Sequence, residues 1–176
     1  DLASTNKCGW LADINVLPIV INNIIVDISS AEDLLAFDFS SNKDIRLTDN
    51  IDLTGKSWTT VEGYEGSVHG NNKTITGLTA PLLGTVKSSI ADLRLEGVNI
   101  EITDISATPN LGVLANKIDN TNAVVYNCSA EGAMNINCNM TSQLDVSMYI
   151  SGLIGNTTSI KEFKNIVNEI DVEVNG

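Results

Sequence analysis

Gly152-Leu153-Ile154-Gly155 is the clearest of three related four-residue motifs in the sequence. The other two are Gly112-Val113-Leu114-Ala115 and Pro81-Leu82-Leu83-Gly84, so the motifs end at residues 84, 115 and 155. Each motif is followed by a polar stretch and then by segments that alternate apolar with polar residues: Ile90–Ile102, Val125–Ile136 and Phe163–Val174. Such alternation is typical of β-strands, and an irregular repeat of this length is typical of stacked units with loop insertions.

These repeats predict an all-β fold, a right-handed parallel β-helix (solenoid) with a short N-terminal capping α-helix. A single unit cannot bury its own apolar face, whereas stacked strands about 4.8 Å apart cover one another and complete the backbone hydrogen bonds. Parallel crossovers are almost always right-handed. We expect Gly84 and Gly155 at tight corners, with Ala115 as the imperfect copy. A propeller needs more regular blades, and a sandwich gives no repeated small-residue corner, so both fit less well.

One short helix is predicted before the repeats. Ser29 and Glu32 have the spacing of a capping box, and the segment Ala31–Phe39 carries an apolar face. Because so short a helix is marginal alone in water, we expect it to cover the end of the stack. The expected organisation is one structural domain with three parts: lead-in strands over 1–28 (Ile14–Ile21 and Ile24–Ile28), a capping helix within 29–42, and β-solenoid units over 43–176.

The composition narrows the class of function. The 176 residues include 10 Lys+Arg and 22 Asp+Glu, a formal net charge of −12. This charge excludes a general binder of nucleic acids or anionic membranes, which needs a basic surface. No stretch reaches the roughly 18 consecutive apolar residues of a membrane span. The 20 Ile, 14 Val and 21 Asn residues favour short strands joined by tight turns.

Three successive segments carry a family resemblance: Ile28–Phe37, Ile45–Trp58 and Tyr64–Leu78. Together with Gly152–Gly155, they resemble GLUG-repeat β-helix domains of bacterial surface proteins, including the non-catalytic region of IgA-peptidase-like adhesins. Gly63–Gly70 is an approximate match. The resemblance implies a secreted or cell-surface location and a role in display or adhesion, with a host protein or glycan as possible partner. It implies no catalytic residues and no cofactor.

Four residues are candidates for ligand binding: Trp58, Tyr64, Glu62 and Glu65. Aromatic rings stack on sugars, and Trp58 is the best candidate, although a half-buried packing role is the simpler interpretation. The pairs Glu62/Glu65 and Asp49/Asp52 could place two carboxylates together, as glycosidases require. The only histidine, His69, lies in a Gly/Asn-rich segment and is expected at a surface turn. We predict no catalytic residue and no metal ligand.

Three functions are therefore consistent with the sequence. The first is a non-enzymatic extracellular module for adhesion or ligand display. The second is a polysaccharide-degrading enzyme of pectate-lyase-like architecture, and the third is a purely structural spacer. The sequence starts at Asp1 without a signal peptide, so we expect a piece of a longer multidomain or secreted protein. Cys128 and Cys138 could pair and leave Cys8 over, or all three cysteines could be thiols.

Overall fold

The computed structural model describes residues 24–103, 110–137 and 149–175. The expected strand Ile14–Ile21 and the residues Cys8, Trp10 and Cys138 lie outside these ranges. In chain order the elements are β1 (Ile25–Ile28), α1 (Ala31–Ala36), a 3-10 helix (Phe39–Ser41), β2 (Asp44–Leu47), β3 (Ile51–Asp52), β4 (Val68–Thr76), β5 (Leu83–Val86), β6 (Ile90–Ile102), β7 (Asn110–Leu111), β8 (Ala115–Asp119), β9 (Val124–Asn137), β10 (Tyr149–Ile150), β11 (Ile154–Ser159) and β12 (Glu162–Asn175).

All pairs among the described strands are parallel. The largest sheet has the order β1-β2-β4-β6-β9-β12, with β3 also paired to β4. Strands β5, β8 and β11 form a second sheet, and β7 and β10 form a third. In each sheet the order in space follows the order in the chain. The expectation of an all-β fold with parallel strands is confirmed.

Equivalent apolar side chains stack from strand to strand across the largest sheet. One such set, called here the first interior column, consists of Val26, Ile45, Val68, Ile90, Val125 and Phe163, which pair in register. Its four middle members are at most 3% exposed. They belong to one hydrophobic cluster that also contains Leu83, Ala115 and Ile154 of the second sheet. The apolar residues of the alternating sequence pattern are thus the ones whose side chains are buried.

The helix is shorter than expected, and its cap lies one residue later. The N-cap is Ser30, whose hydroxyl accepts a hydrogen bond from the Asp33 N–H at 3.1 Å. The Asp33 carboxylate in turn accepts from the Ser29 N–H at 3.0 Å. Glu32, predicted as the second capping residue, instead pairs with Lys56 at 2.7 Å. The helix ends before Phe39 because Phe37 adopts an extended backbone, with φ −67° and ψ 133°.

The register of the second motif is also shifted relative to the prediction. Ala115 pairs with both Leu83 and Ile154, so Asn116 occupies the position equivalent to Gly84 and Gly155. The expectation that Ala115 replaces a corner glycine is wrong. Its methyl group faces the core, and the register is set by inward-facing side chains rather than by similarity of the motif. Asn116 is buried, and its side-chain oxygen accepts from the Gly112 N–H at 3.3 Å.

Four polar residues mark a bend inside successive strands of the largest sheet. Asn72, Asp92, Asn127 and Asn165, called here the Asn/Asp column, have φ values between 51° and 57°. His69, expected in a turn, lies inside β4, and the ladder from β4 to β6 shifts register between His69 and Lys73. Asn and Asp tolerate this left-handed conformation better than other non-glycine residues. The column therefore gives these strands a left-handed backbone position that the alternating pattern does not predict.

Candidate functional site

Trp58 lies in the connection that follows β3, and its side chain is buried, with 7% exposure. Its indole N–H lies 3.2 Å from the carbonyl oxygens of both Pro81 and Leu82. The ring packs edge-to-face against Phe39, with 6.0 Å between centroids. The half-buried position predicted from sequence is instead a core position, because the long connection folds the indole back onto these carbonyls.

Tyr64 is buried still more completely, with 1% exposure. Its hydroxyl donates to the Lys43 carbonyl oxygen at 2.6 Å, and its ring meets Phe39 edge-to-face at 5.2 Å. Burial raises the pKa of the Tyr64 phenol above its usual range, and the nearby Asp44 carboxylate raises it further. Trp58 and Tyr64 thus fasten the 3-10 helix to the core, and their rings pack inside the protein rather than facing solvent.

Glu62 and Glu65 lie on the surface in a segment that runs alongside β5. Val61 forms a parallel bridge to Leu83, and the Glu62 carboxylate accepts from the Thr85 N–H at 2.9 Å. Glu65 forms an ion pair with Lys87 at 2.9 Å, and this contact raises the pKa of Lys87. Both carboxylates are exposed and remain the solvent-facing part of the predicted ligand site.

The other acidic pair and the histidine take structural positions. Asp52 accepts from the Thr54 N–H at 2.9 Å and from the Thr76 hydroxyl at 3.2 Å, and these bonds lower its pKa. Asp49 is exposed in the turn before β3. The His69 side chain lies on the surface of β4, with Nε2 3.7 Å from an Asp44 carboxylate oxygen. Asp52 therefore fastens β3 to β4.

A shallow polar groove of about 190 Å³ follows the Asn/Asp column. The Asn127 side-chain amide donates to the Asp92 carboxylate at 2.7 Å and lies 3.4 Å from the Asn72 side-chain oxygen. Arg94 and Ser129 line the same groove and form a register pair on adjacent strands. Because neighbouring strands are about 4.8 Å apart, amide, carboxylate and guanidinium groups form a regular polar row. Such groups can both donate and accept hydrogen bonds to a polyhydroxylated ligand or a peptide.

This groove is not among the sites predicted from the sequence. Its signal is a single Asn or Asp placed in the middle of an alternating segment, as in Ala91-Asp92-Leu93, Tyr126-Asn127-Cys128 and Lys164-Asn165-Ile166. A central Asn or Asp in one segment alone is weak evidence. Its repetition in three strand-like segments predicts more specifically that these segments share a bend.

Cys128 is a buried free thiol beside this groove. Its sulfur lies 3.3 Å from the Tyr126 carbonyl oxygen and 3.7 Å from that of Ile90. Burial raises its pKa to about 11, so the reactive thiolate is disfavoured at neutral pH. Cys128 therefore packs as a small apolar residue. The alternative pairing with Cys138 involves a residue outside the described ranges.

Among the residues described by the structure, no group of three or more His, Cys, Asp or Glu side chains is arranged to hold a metal ion. None of the described helices is long and apolar enough to cross a membrane.

Comparisons with known proteins give no match: no family model, curated protein or solved structure is significantly similar to this chain.

Proposed function

We propose that this chain is a right-handed parallel β-helix of the GLUG-repeat type, acting as a non-enzymatic module of a longer secreted or cell-surface bacterial protein. In this proposal it serves adhesion or ligand display and binds a host protein or a glycan. The connections from β4 to β6, from β6 to β9 and from β9 to β12 each pass through one strand of the second sheet, as expected if each unit is one turn of a helix.

The first interior column is the observation that carries this proposal. Six parallel strands in chain order place equivalent apolar residues side by side, as stacked turns of a solenoid would. In such a stack the inward positions maintain the fold, so the outward positions are available for recognition. Binding residues in many proteins are positioned by a rigid scaffold of this kind.

The groove along the Asn/Asp column is the best candidate for the ligand surface. It offers amide, carboxylate, hydroxyl and guanidinium groups on a solvent-facing wall. Arg94 is its only arginine and has an exposed side chain that lies 3.8 Å from Glu96. Glu62 and Glu65 form a second, separate candidate surface alongside β5.

The test is a glycan array and a host-protein binding screen with the wild-type chain, followed by titration of variants. Arg94→Ala should weaken binding to the identified ligand at least tenfold. Arg46→Ala is the matched control, because Arg46 is the other arginine of the chain and lies on the same sheet. The double variant Glu62→Gln/Glu65→Gln tests the second surface.

Two outcomes would overturn the proposal. Absence of any ligand in both screens would favour a structural spacer. Measurable cleavage of a polysaccharide that is lost in Glu62→Gln/Glu65→Gln or in Asp49→Asn/Asp52→Asn would favour the pectate-lyase-like enzyme.

A further inference from the structure

The groove along the Asn/Asp column crosses four neighbouring strands of the largest sheet. Its lining contains residues of β4, β6, β9 and β12, which follow one another in that sheet. The Asn/Asp column thus spans three steps from strand to strand, or about 14 Å. A ligand that fills the groove therefore lies across the strands rather than along one of them. Because the groove opens on the outward face of the sheet, a further parallel strand beside β12 would lengthen it without covering it.

The charge of the lining favours an uncharged ligand. Among the described residues that line the groove, the charged side chains are Asp92 and Arg94, one of each sign. The Arg94 guanidinium also lies 3.8 Å from the Glu96 carboxylate, which compensates part of its charge. An acidic polysaccharide or a basic peptide carries charges at regular intervals and needs a row of opposite charges on successive strands. The groove offers no such row, and the formal net charge of −12 further opposes an anionic polymer.

The remaining polar groups of the lining are amides and a hydroxyl, contributed by Asn72, Asn127, Asn165 and Ser129. Amide and hydroxyl groups can both donate and accept hydrogen bonds. Within the described part of the chain, the side chains of Asn165 and Ser129 have no hydrogen-bond partner. These groups therefore suit the hydroxyls of a neutral sugar, which also donate and accept.

The spacing of the polar side chains distinguishes a glycan from a peptide. Side chains of the Asn/Asp column recur with the strands, about 4.8 Å apart. An extended peptide advances about 3.3 Å per residue, so the backbone groups along one edge recur about every 6.7 Å and do not keep step with the column. Successive rings of a linear polysaccharide with equatorial linkages are separated by nearly the distance between strands. Each ring can therefore face the polar side chains of one strand.

We infer that the groove along the Asn/Asp column binds a neutral, linear polysaccharide that runs across the strands, with one sugar ring over each strand from β4 to β12. Asn72, Asn127 and Asn165 form hydrogen bonds with ring hydroxyls, and the Arg94 guanidinium donates to the hydroxyls beside it. This inference rests on the proposed function, in which the chain binds a glycan or a host protein, and it narrows the ligand to one chemical class.

The first test is calorimetric titration of the full chain with cello-, manno- and xylo-oligosaccharides of increasing length. For at least one neutral series, affinity should rise until the oligosaccharide has as many rings as the groove has strands, and then level off. It should hardly change with salt, because binding pairs no charges. Oligogalacturonate of the same length should bind at least tenfold more weakly. Equal or tighter binding of oligogalacturonate, or affinity independent of length, would overturn the inference.

The second test places variants at the two ends of the groove. Asn72→Gly and Asn165→Gly should each weaken binding of the longest oligosaccharide about fivefold, because each removes a side-chain hydrogen bond. Glycine preserves the positive φ of 57° and 55° at these positions. Asn42→Gly is the matched control and should bind normally, since Asn42 is exposed, has φ 53° and lies outside the groove. A loss in only one of the two end variants would mean that the ligand lies along a strand and would contradict the inference.

Failure of this inference can be distinguished from failure of the proposed function. A protein or an acidic glycan that binds the chain, or a neutral glycan whose affinity is unchanged in both end variants, would overturn the inference and leave the display function standing. Absence of any ligand in these titrations and in the screens would overturn both. Circular dichroism checks that each variant is folded, and Arg94→Gln tests the same groove with no change at a positive φ.

Discussion

The Asn127 side-chain amide donates to the Asp92 carboxylate at 2.7 Å, and both residues have a left-handed backbone, with φ 51° and 56°. The contact joins β6 to β9 at the bend of each strand. Asn127 therefore meets two requirements at once: it tolerates a positive φ, and its side chain donates to the neighbouring strand.

Asn127→Ala should destabilise the protein by about 1–2 kcal/mol, because alanine is strained at positive φ and leaves the Asp92 carboxylate without this donor. Asn127→Gly should cost less, since glycine relieves the backbone strain and loses only the hydrogen bond. Urea unfolding followed by circular dichroism measures both. Equal losses for the two variants would mean that the backbone conformation contributes nothing.

Gly70→Ala should be severely destabilising, by about 3 kcal/mol or more. A Cβ at Gly70 would lie 2.6 Å from the Leu93 Cα and closer still to the Asp92 carbonyl oxygen, and these backbone atoms cannot move aside. Gly97→Ala is the matched control. Gly97 has φ 58° and open space around its Cβ position, so its cost of about 1 kcal/mol comes from the backbone alone. Comparison of the urea midpoints checks the ranking, and a Gly70→Ala midpoint equal to that of Gly97→Ala would refute the close approach.

Tyr64 predicts a loss of stability in alkali. Its pKa is raised in the folded protein, whereas in the unfolded chain it is near 10. The contribution of the un-ionised Tyr64 phenol to stability is complete below pH 10. It is lost as the pH rises above 10, because the phenol then ionises only in the unfolded chain. The free energy of unfolding should fall by about 1.4 kcal/mol per pH unit from this group.

Tyr64→Phe should remove that part of the slope and cost about 1 kcal/mol at neutral pH through the lost bond to Lys43. Tyr149→Phe, which removes the phenol of an exposed tyrosine, is the matched control. Unfolding curves at several pH values above 9 distinguish the two variants, and an unchanged slope in Tyr64→Phe would show that its phenol is accessible.

Cys128 should resist thiol reagents while the protein is folded. In a Cys8→Ser/Cys138→Ser background, its reaction with a chromogenic disulfide should require unfolding, because the side chain is buried and its pKa is raised to about 11. The rate should therefore rise with denaturant in parallel with the unfolded fraction. Rapid reaction of the native protein would contradict this placement, and the fully denatured variant provides the reference rate.

The alternating pattern predicted most of the strands. The pattern predicts strands over Ile90–Ile102, Val125–Ile136 and Phe163–Val174, and the structure places β6, β9 and β12 over them. Alternation identifies a strand because inward and outward positions differ in polarity at every step. Pairing by order in the chain followed from the repeat, since each unit needs a neighbour.

The bends and the aromatic residues were harder to predict. Asp92 and Asn127 occupy positions where an outward polar residue is also expected, so polarity alone does not reveal a left-handed backbone. Trp58 and Tyr64 lie in the long connection between β3 and β4, and their burial depends on Phe37 and Phe39, which are distant in sequence. Alignment of the three motifs by residue type also placed Ala115 one position away from its partner in the sheet.

The agreement between chain order and spatial order has a consequence for biosynthesis. A ribosome releases β1, then β2, then β4, and both β2 and β4 have a partner strand already outside the exit tunnel when they emerge. The nascent polypeptide can thus assemble progressively without waiting for a distant segment.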